Sequence, residues 1–488
     1  PDGYYMTVNQ FTNASSWGGA GVAVYERDQM LTGGLARQII FDLESVNANF
    51  GGMLPVDFEG TPPPAGSPAY FAEVDDSSYG LGPVDEMRIW EFHTDWASNT
   101  WSFGLSGQPN QILPVANFNL LCSSTRDCIP QPGTTQRLDG IGDRLMYRLA
   151  YRYLDSGEER MVVNHSVDAG SGRAAVRWYE LQKTGSSWAI TQQATYAGDS
   201  PTDTTHRWMG SISMDRMGNV ALGYSMSSSS VYPSVGLVGR LVTDPANTLP
   251  QGELVVFSGA ASQTGVNRWG DYSSMSIDPE DGCTFWYTQE YSAGSWDWQT
   301  RIISFKYPSC NALPKGTISG TVRTTGGAPI AGVQVKAGIF STVTAADGTY
   351  TILAPEGTYD MTAAAFGYLP GSANGVVVVA DQTTLQDFVL TSAPMHKVYG
   401  TVTDATPGGH SWPLFAQVDL SGYPNGPVFT DPQSGYYEVM LPEGFATTLT
   451  VNALAAGYEP ASQALIVPAS TSAGASAPRS ISTWPIAR

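Results

Sequence analysis

The sequence predicts an all-β chain, with repeated sheets over residues 1–312 and two tandem β-sandwich modules over 313–393 and 394–488. Three observations carry this. Short alternating or apolar runs are separated by Gly, Pro, Asn, Asp and Ser, which is how strands and turns punctuate a sequence. Helix-period patterning is scarce. Two sets of internal repeats recur, one before Cys310 and one after it.

Two segments have an arguable helical pattern, and both read better otherwise. Leu35–Ser45 is a loop turning into a strand at Gln38-Ile39-Ile40-Phe41. In 143–152 the residues Leu145, Tyr147, Leu149 and Tyr151 recur with a period of two, so a strand is expected.

In the first repeat, Arg207-Trp208 precedes Ser211-Ile212-Ser213-Met214-Asp215, Gly218 and a strand from Val220. In the second, Arg268-Trp269 precedes Ser274-Met275-Ser276-Ile277-Asp278, Gly282 and a strand from Thr284. A fainter copy begins at Gly142-Asp143-Arg144. Tyr4–Phe11 with Gly21–Tyr25, and Tyr70–Glu73 with Met87–Phe92, look like two more units. Modules of about 50–65 residues with some four strands are what propeller blades look like, because one blade cannot bury both its faces alone. The expectation is a β-propeller of about five or more blades with an incomplete first blade. In each Asp–turn–Gly the carboxylate of Asp215 or Asp278 would accept turn N–H groups, and Gly218 or Gly282 would take positive φ. The chain opens on Pro1 directly before a strand, and it reads as a processed or trimmed product.

The second repeat set begins at Gly320-Thr321-Val322, continues through Asp347-Gly348-Thr349-Tyr350 and Pro355-Glu356-Gly357, and reaches Phe366-Gly367-Tyr368. It recurs as Gly400-Thr401-Val402, Ser434-Gly435-Tyr436, Pro442-Glu443-Gly444 and Ala456-Gly457-Tyr458. Two sandwiches follow from this. The Ala/Ser/Thr/Pro-rich stretch 468–482 reads as a spacer.

Lys+Arg 24 against Asp+Glu 44 gives a net charge of -20. That disfavours nucleic acid and anionic membranes as partners, since both need a basic face. No apolar run is long enough to insert in a membrane as a helix, and no secretory leader pattern opens the chain. The Lys-poor, Thr/Ser/Gly/Tyr/Trp-rich composition fits a secreted bacterial protein. The four cysteines, Cys122, Cys128, Cys283 and Cys310, allow three pairings. The favoured one closes a small loop with Cys122–Cys128 and joins two strands with Cys283–Cys310, because an oxidising compartment favours disulfides over zinc.

The two C-terminal units resemble the carboxypeptidase regulatory-like module over 316–391 and 397–468, on the Gly-Thr-Val, Asp-Gly-Thr-Tyr and Pro-Glu-Gly stretches quoted above. The resemblance implies seven-stranded, transthyretin-like, non-catalytic sandwiches. Ser434-Gly435 departs from the Asp-Gly form. Residues 1–310 resemble a family of secreted bacterial sialidase-like or hypothetical propellers. The stretches that carry this are Pro1-Asp2-Gly3-Tyr4-Tyr5, Cys128-Ile129-Pro130-Gln131-Pro132-Gly133, Gly142-Asp143-Arg144, Val163-Asn164-His165-Ser166 and Arg268-Trp269-Gly270-Asp271-Tyr272-Ser273. This resemblance implies fold, compartment and further blades upstream, and no activity.

A sialidase-like hydrolase needs an arginine cluster, a tyrosine–glutamate couple and an acid/base Asp. Arg144, Arg148, Arg152, Arg207, Arg268, Tyr272 and Glu290 are the candidates, but the Arg-Ile-Pro signature is missing and Arg88-Ile89-Trp90 is the nearest stretch. Ser276–Trp286 resembles a sialidase Asp-box lengthened before its Gly, which is a structural turn. The recurring Arg207-Trp208 and Arg268-Trp269, with Arg144, form either a ligand platform or an intra-blade packing pair, and their repetition favours packing. His165 and His206 lack the spacing of a zinc site, and no nucleophile elbow occurs. Asp2, Asp139, Asp143 and Asp271 with Asp278 could take Ca2+ without matching an EF-hand; no other cofactor is expected. Asn13-Ala14-Ser15 and Asn164-His165-Ser166 match the glycosylation triplet.

The resulting expectation is a secreted, non-catalytic structural or adhesive protein assembled through β-edges into a surface filament or matrix. Its partners would be itself or other cell-surface proteins and glycans. The alternatives are a glycan-binding or glycan-hydrolysing propeller and the non-catalytic region of a larger secreted hydrolase.

Overall fold

A computed structural model describes residues 3–13, 15–64, 66–79, 83–154, 156–200, 202–294, 297–311, 313–338, 340–405, 410–455, 457–467, 479–480 and 484–486. Pro1, Asp2, Ala14 and most of the 468–482 stretch lie outside them. The chain divides into one unit of residues 1–31 with 35–312 and another of 32–34 with 313–488. Strands dominate both. Among the described residues, helical structure is confined to Arg27–Thr32 and a 3-10 turn at Ser77–Tyr79, neither of which the sequence signalled.

In the first unit, strands Gly3–Thr12, Ser16–Glu26 and Gln38–Asp42 form an antiparallel sheet, here called the first sheet. The strand expected at Gln38-Ile39-Ile40-Phe41 is present. His206–Met214, Val220–Ser227, Ser234–Arg240 and Leu254–Phe257 form a separate four-stranded sheet. Ser274–Ile277, Phe285–Gly294 and Asp297–Phe305 form the last sheet of this unit. The two turns develop as the sequence implied. Asp215 Oδ1 accepts the N–H groups of Met217 and Asn219 at 2.9 and 3.0 Å, and Asp278 Oδ1 accepts that of Glu280 at 2.8 Å. Gly218 and Gly282 have φ of 86° and 66°.

The expectation of uniformly discrete blades is not met. Two of the anticipated units merge into one ten-stranded sheet. Strand Leu54–Glu59 pairs with Ala69–Asp75 only at Leu54 and Pro55, then leaves it. Residues Val56–Glu59 run parallel to Leu149–Arg152 instead. Side chains fix this crossover: Phe58 meets Tyr151 edge-on at 4.9 Å, and Arg148 Nη1 lies 3.0 Å from Glu59 Oε1. The resulting core is aromatic, with Tyr70, Phe71, Trp90, Phe92, Phe103, Tyr151 and Tyr179 all buried.

The second unit holds two sandwiches built alike. In the first, Lys315–Thr324 is central to a sheet with Thr349–Pro355, Thr383–Leu385 and Phe388–Leu390. Facing it are Phe340–Val343, Gln334–Ala337, Gly357–Ala364 and Gly371–Val378. Alternate residues point inward, so Ile318, Val322, Val335, Ile352 and Met361 meet in one core. In the second, Met395–Asp404 is central, with Tyr436–Pro442 on one side, and the facing sheet has Ala416–Leu420 beside Ala446–Ala453. Its core gathers Val398, Val402, Val418, Tyr437, Leu449 and Val451.

Candidate functional site

The sequence-nominated residues disperse. Arg207 is buried and closed on protein groups: Nε and Nη2 donate to Glu253 and Nη2 also to Asp203, while Nη1 takes the carbonyls of Ala197 and Thr205. Arg268, at the equivalent repeat position, is 61% exposed and pairs with Asp271. Trp208 and Trp269 converge in one buried cluster with Leu121, Ile129, Leu138, Met146 and Met209. The Trp269 indole N–H donates to Ser225 Oγ at 3.0 Å. Both indoles pack within the core with no face open to a ligand.

The other arginines are also engaged. Arg148 bridges Asp57 and Glu59, and Arg152 Nη2 donates to the Gly282 carbonyl at 3.1 Å. Glu290 accepts the Gly270 N–H at 2.7 Å. Arg148, Arg152 and Arg207 are thus spent on separate internal partners, while Arg144 and Tyr272 border one cavity. The Asn164 side chain is buried, so the second glycosylation triplet is sequestered. The first triplet includes Ala14, outside the described residues. Among the described residues no group of three or more His, Cys, Asp or Glu side chains is placed to hold a metal ion.

Of the five platform candidates, Arg144 borders two cavities. One, of 490 Å³, is lined by Tyr5, Met6, Met53, Tyr147 and Tyr272 among others. The second, of 390 Å³, is lined by Asn9, Phe11, Trp17, Asn49, Glu73 and Arg126 among others. Asn9, Gly52 and Arg144 belong to both walls, so the cavities adjoin as one groove. Each volume falls within the roughly 300–1,000 Å³ common for ligand sites.

Local sequence explains the groove. Gly51 and Gly52 are adjacent because two side chains lie directly on them. A Cβ on Gly51 would come within 2.5 Å of the Trp17 ring, and one on Gly52, at φ 61°, within 2.6 Å of Arg144 Cβ. The Trp17 N–H donates to the Ala48 carbonyl at 2.5 Å, which fixes the indole plane. The Asn9 carboxamide oxygen accepts the Gly52 N–H at 3.1 Å. Arg126 comes from the loop closed by the Cys122–Cys128 disulfide.

The charged groups along the groove are already engaged with one another, and carboxylates are in excess. Arg144 makes a two-point pair with Asp143 at 2.9 and 3.0 Å. Burial raises the Asp143 carboxyl, but the Arg144 hydrogen bond and the Arg144 and Arg126 charges outweigh it and hold it below the usual range. Arg126 Nη2 lies 2.9 Å from Asp139. At the base, Glu73 and Asp75 share Arg88 at 2.9 and 3.1 Å. Burial pushes Glu73 up to about 7 against the opposing pull of Arg88. Asn9, Trp17, Asn49, Gly51, Gly52 and Arg126 were not nominated from sequence. They come from separate stretches, and the Gly51-Gly52 doublet is the one local signal that two side chains approach the backbone there.

Comparison with known proteins assigns one segment. Residues 317–391 match the model of the carboxypeptidase regulatory-like domain, which identifies the first sandwich as a module of that type. Residues 1–310 lie outside that match. No curated protein matches the chain. Among solved structures, a type II cohesin–X-dockerin complex of Acetivibrio cellulolyticus aligns at 25% identity over 16% of this chain, with a TM-score of 0.15. The chain spans 58% of that structure's length. The minor pilin GBS52 of Streptococcus agalactiae aligns at 12% identity over 36% of this chain and 96% of its own, with a TM-score of 0.23. The shaft pilin SpaA of Lactobacillus rhamnosus GG aligns at 12% identity over 36% and 98%, with a TM-score of 0.14. Scores this low carry no structural argument.

Proposed function

We propose that this is a secreted bacterial structural or adhesive protein, non-catalytic, in which a propeller-like N-terminal unit makes contacts and the two sandwiches act as a stalk. One observation carries the reading. The first and last sheets of the N-terminal unit each leave large apolar side chains bare on one face. Tyr4, Met6, Val8 and Ile40 share a face of the first sheet by strand register, at 44, 42, 44 and 60% exposure. Trp286, Trp298 and Ile302 share a face of the last sheet. The strands His206–Met214, Val220–Ser227 and Ser234–Arg240, between them in sequence, are buried throughout except for the intermediate His206. Contiguous bare apolar area of this kind marks contact surfaces.

The occupant we assign is a second copy of the chain. Sheet-on-sheet stacking is the contact this unit already uses internally, and joining a first-sheet face to a last-sheet face is heterologous, which propagates or closes into rings. The two disulfides support an oxidising, extracellular setting. Light scattering and electron microscopy of the purified oxidised chain test this. Concentration-dependent particles or fibres that Trp298→Glu and Met6→Glu each abolish are expected. A monodisperse monomer at high concentration overturns it.

A further inference from the structure

We infer that the groove around Arg144 binds a neutral oligosaccharide, laid across the two adjoining cavities and held by aromatic faces and carboxamides. The inference rests on the adhesive reading above and gives that surface a ligand class.

The argument begins with charge. Every guanidinium and carboxylate described along the groove has an internal counterpart: Arg144 with Asp143, Arg126 with Asp139, and Glu73 and Asp75, together with Glu86, on Arg88. Carboxylates outnumber guanidinium groups along the groove, which repels an anionic ligand, and a cationic one would exchange with an arginine and forfeit its charge-assisted bonds. A ligand with hydroxyl groups and no net charge faces no such exchange, and it can add hydrogen bonds at the outer edges of the existing pairs.

The groups that can meet a ligand are of two kinds, ring faces and carboxamides; the polar atoms of three of the rings are used within the protein, the Trp17 N–H on the Ala48 carbonyl, the Tyr147 hydroxyl on Asp57 and the Tyr272 hydroxyl on Arg144. Phe11, Trp17, Tyr147 and Tyr272 are 54, 42, 38 and 62% exposed. Phe11 and Trp17 meet edge-to-face at 5.6 Å, so they present a fixed corner. Aromatic rings that are half bare and held in place give amphipathic contact area with little entropy lost on binding. The carboxamides are the second kind. Asn9 uses its oxygen on Gly52, and among the described residues neither its NH2 nor the Asn49 side chain has a hydrogen-bond partner. Carboxamides both donate and accept, which suits vicinal hydroxyls. A sugar ring combines an apolar C–H face with a hydroxyl rim, and this groove pairs ring faces with such amides.

Two cavities sharing a wall suit a chain of sugar units better than a single ring. The first has Tyr147 and Tyr272, the second Phe11 and Trp17, and Arg144 lies between them.

The test is affinity electrophoresis of the full oxidised chain in gels containing soluble neutral glucan, mannan or galactan, with polygalacturonate and a sialylated glycan as charged probes. Retardation by at least one neutral polysaccharide is expected, weakened about tenfold or more by Trp17→Ala and by Asn49→Ala. Trp101→Ala, an exposed tryptophan outside the groove, should leave it unchanged. Circular dichroism of each variant separates lost binding from lost folding, and Asn49→Ala, at an exposed loop position, serves if Trp17→Ala does not fold. No retardation by any neutral probe, stronger retardation by a charged one, or retardation indifferent to both groove variants overturns the inference. Light scattering on the same samples keeps the two readings apart: assembly without sugar binding removes this inference alone, and sugar binding by a strict monomer removes the assembly reading alone.

Discussion

Arg207 meets Glu253 as a two-point pair, with Nε donating to Oε1 and Nη2 to Oε2, both at 2.6 Å. Glu253 stands just before the outer strand Leu254–Phe257, and Arg207 lies in the opposite edge strand, His206–Met214. The pair therefore straps the sheet across its width. Tyr224, from the strand next to that of Arg207, adds its hydroxyl to Glu253 Oε1 at 2.5 Å. Burial opposes the Arg207 charge, but the bonds to Glu253 and Asp203 win, and its pKa is raised further.

Truncating such a buried arginine strands a carboxylate. Arg207→Ala is expected to destabilise the protein by about 3–5 kcal/mol. Arg268→Ala, at the matching repeat position but largely exposed, should change stability by less than about 1 kcal/mol. Chemical denaturation of the two variants checks the asymmetry, and equal effects would contradict the strap.

Acid sensitivity follows from two histidines, His165 buried and His206 partly so. His165 is fully buried, with Nε2 3.0 Å from the Tyr179 hydroxyl and its ring edge-on to Phe118 at 4.6 Å. Burial, aided by Arg177, pushes it down from 6.5 to about 3. His206 falls to about 4 through burial, with Arg137 and Arg173 adding to it. The unfolded chain takes up protons near pH 6.5 that the folded chain refuses, so the stability these groups contribute is present above that pH and is lost on acidification. Glu73 works oppositely. Raised from 4.5 to about 7, it holds a proton in the fold that the unfolded chain has released, so its contribution falls as pH rises through that window. The melting temperature of His165→Gln should depend less steeply on pH between about 4 and 6.5 than that of the parent, and that of Glu73→Gln more steeply between about 4.5 and 7. Melting curves across that range decide it; a parallel profile for His165→Gln removes the histidine explanation.

The disulfides differ in what they close. Cys283–Cys310 spans 27 residues and ties the base of the last sheet's hairpin, where Phe285 pairs with Phe305. Cys122–Cys128 spans 6. Loop-closure entropy assigns about 3.5 kcal/mol to the longer and about 2 kcal/mol to the shorter. Replacing both cysteines of each pair by alanine and comparing denaturant midpoints should reproduce that order. The shorter bridge, which holds the Arg126 loop at the groove, should matter more for ligand retention than for stability.

How far the sequence could be read depends on the range of the interactions that set each feature. Strands and turns were legible because alternation and the Asp–turn–Gly pattern act within a few residues. The ten-stranded merger was not, since Val56 and Leu149 find each other across a long stretch with no local mark. The unlike roles of Arg207 and Arg268 were hidden for the same reason. Their local sequences match, and the difference is a carboxylate 46 residues downstream of Arg207. Arg144 was nominated for its repeat position, but its place in a groove depends on Asn9, Trp17 and the Gly51-Gly52 floor, which no spacing connects to it.

The second sandwich shows how a changed motif keeps its geometry, and it yields the sharpest test of the repeat. In the first sandwich Gly348 has φ of 78°, and its carbonyl accepts the Val322 N–H at 2.8 Å. Asp347 Oδ1 caps the turn by accepting the Thr349 N–H at 3.0 Å. In the second, Ser434 stands where that Asp would be. Gly435 still has φ of 69°, and its carbonyl accepts the Val402 N–H at 2.9 Å. The capping carboxylate has moved upstream: Asp431 Oδ1 accepts the N–H groups of Gln433 and Ser434 at 3.1 and 2.8 Å. What the fold retains is the left-handed glycine, since a Cβ would come within 2.6 Å of the Val322 carbonyl oxygen at Gly348 and 2.3 Å of that of Val402 at Gly435. Strain and contact act together there, so Gly348→Ala and Gly435→Ala should each destabilise their sandwich by at least about 1–2 kcal/mol. Asp347→Ala and Asp431→Ala remove turn caps on exposed groups and should have smaller effects. Hydrogen exchange resolved to each sandwich is the measurement, because it reads each module within the intact chain. Were Ser434→Asp in the second copy to rescue Gly435→Ala, the capping residue and not the glycine would be what holds the turn.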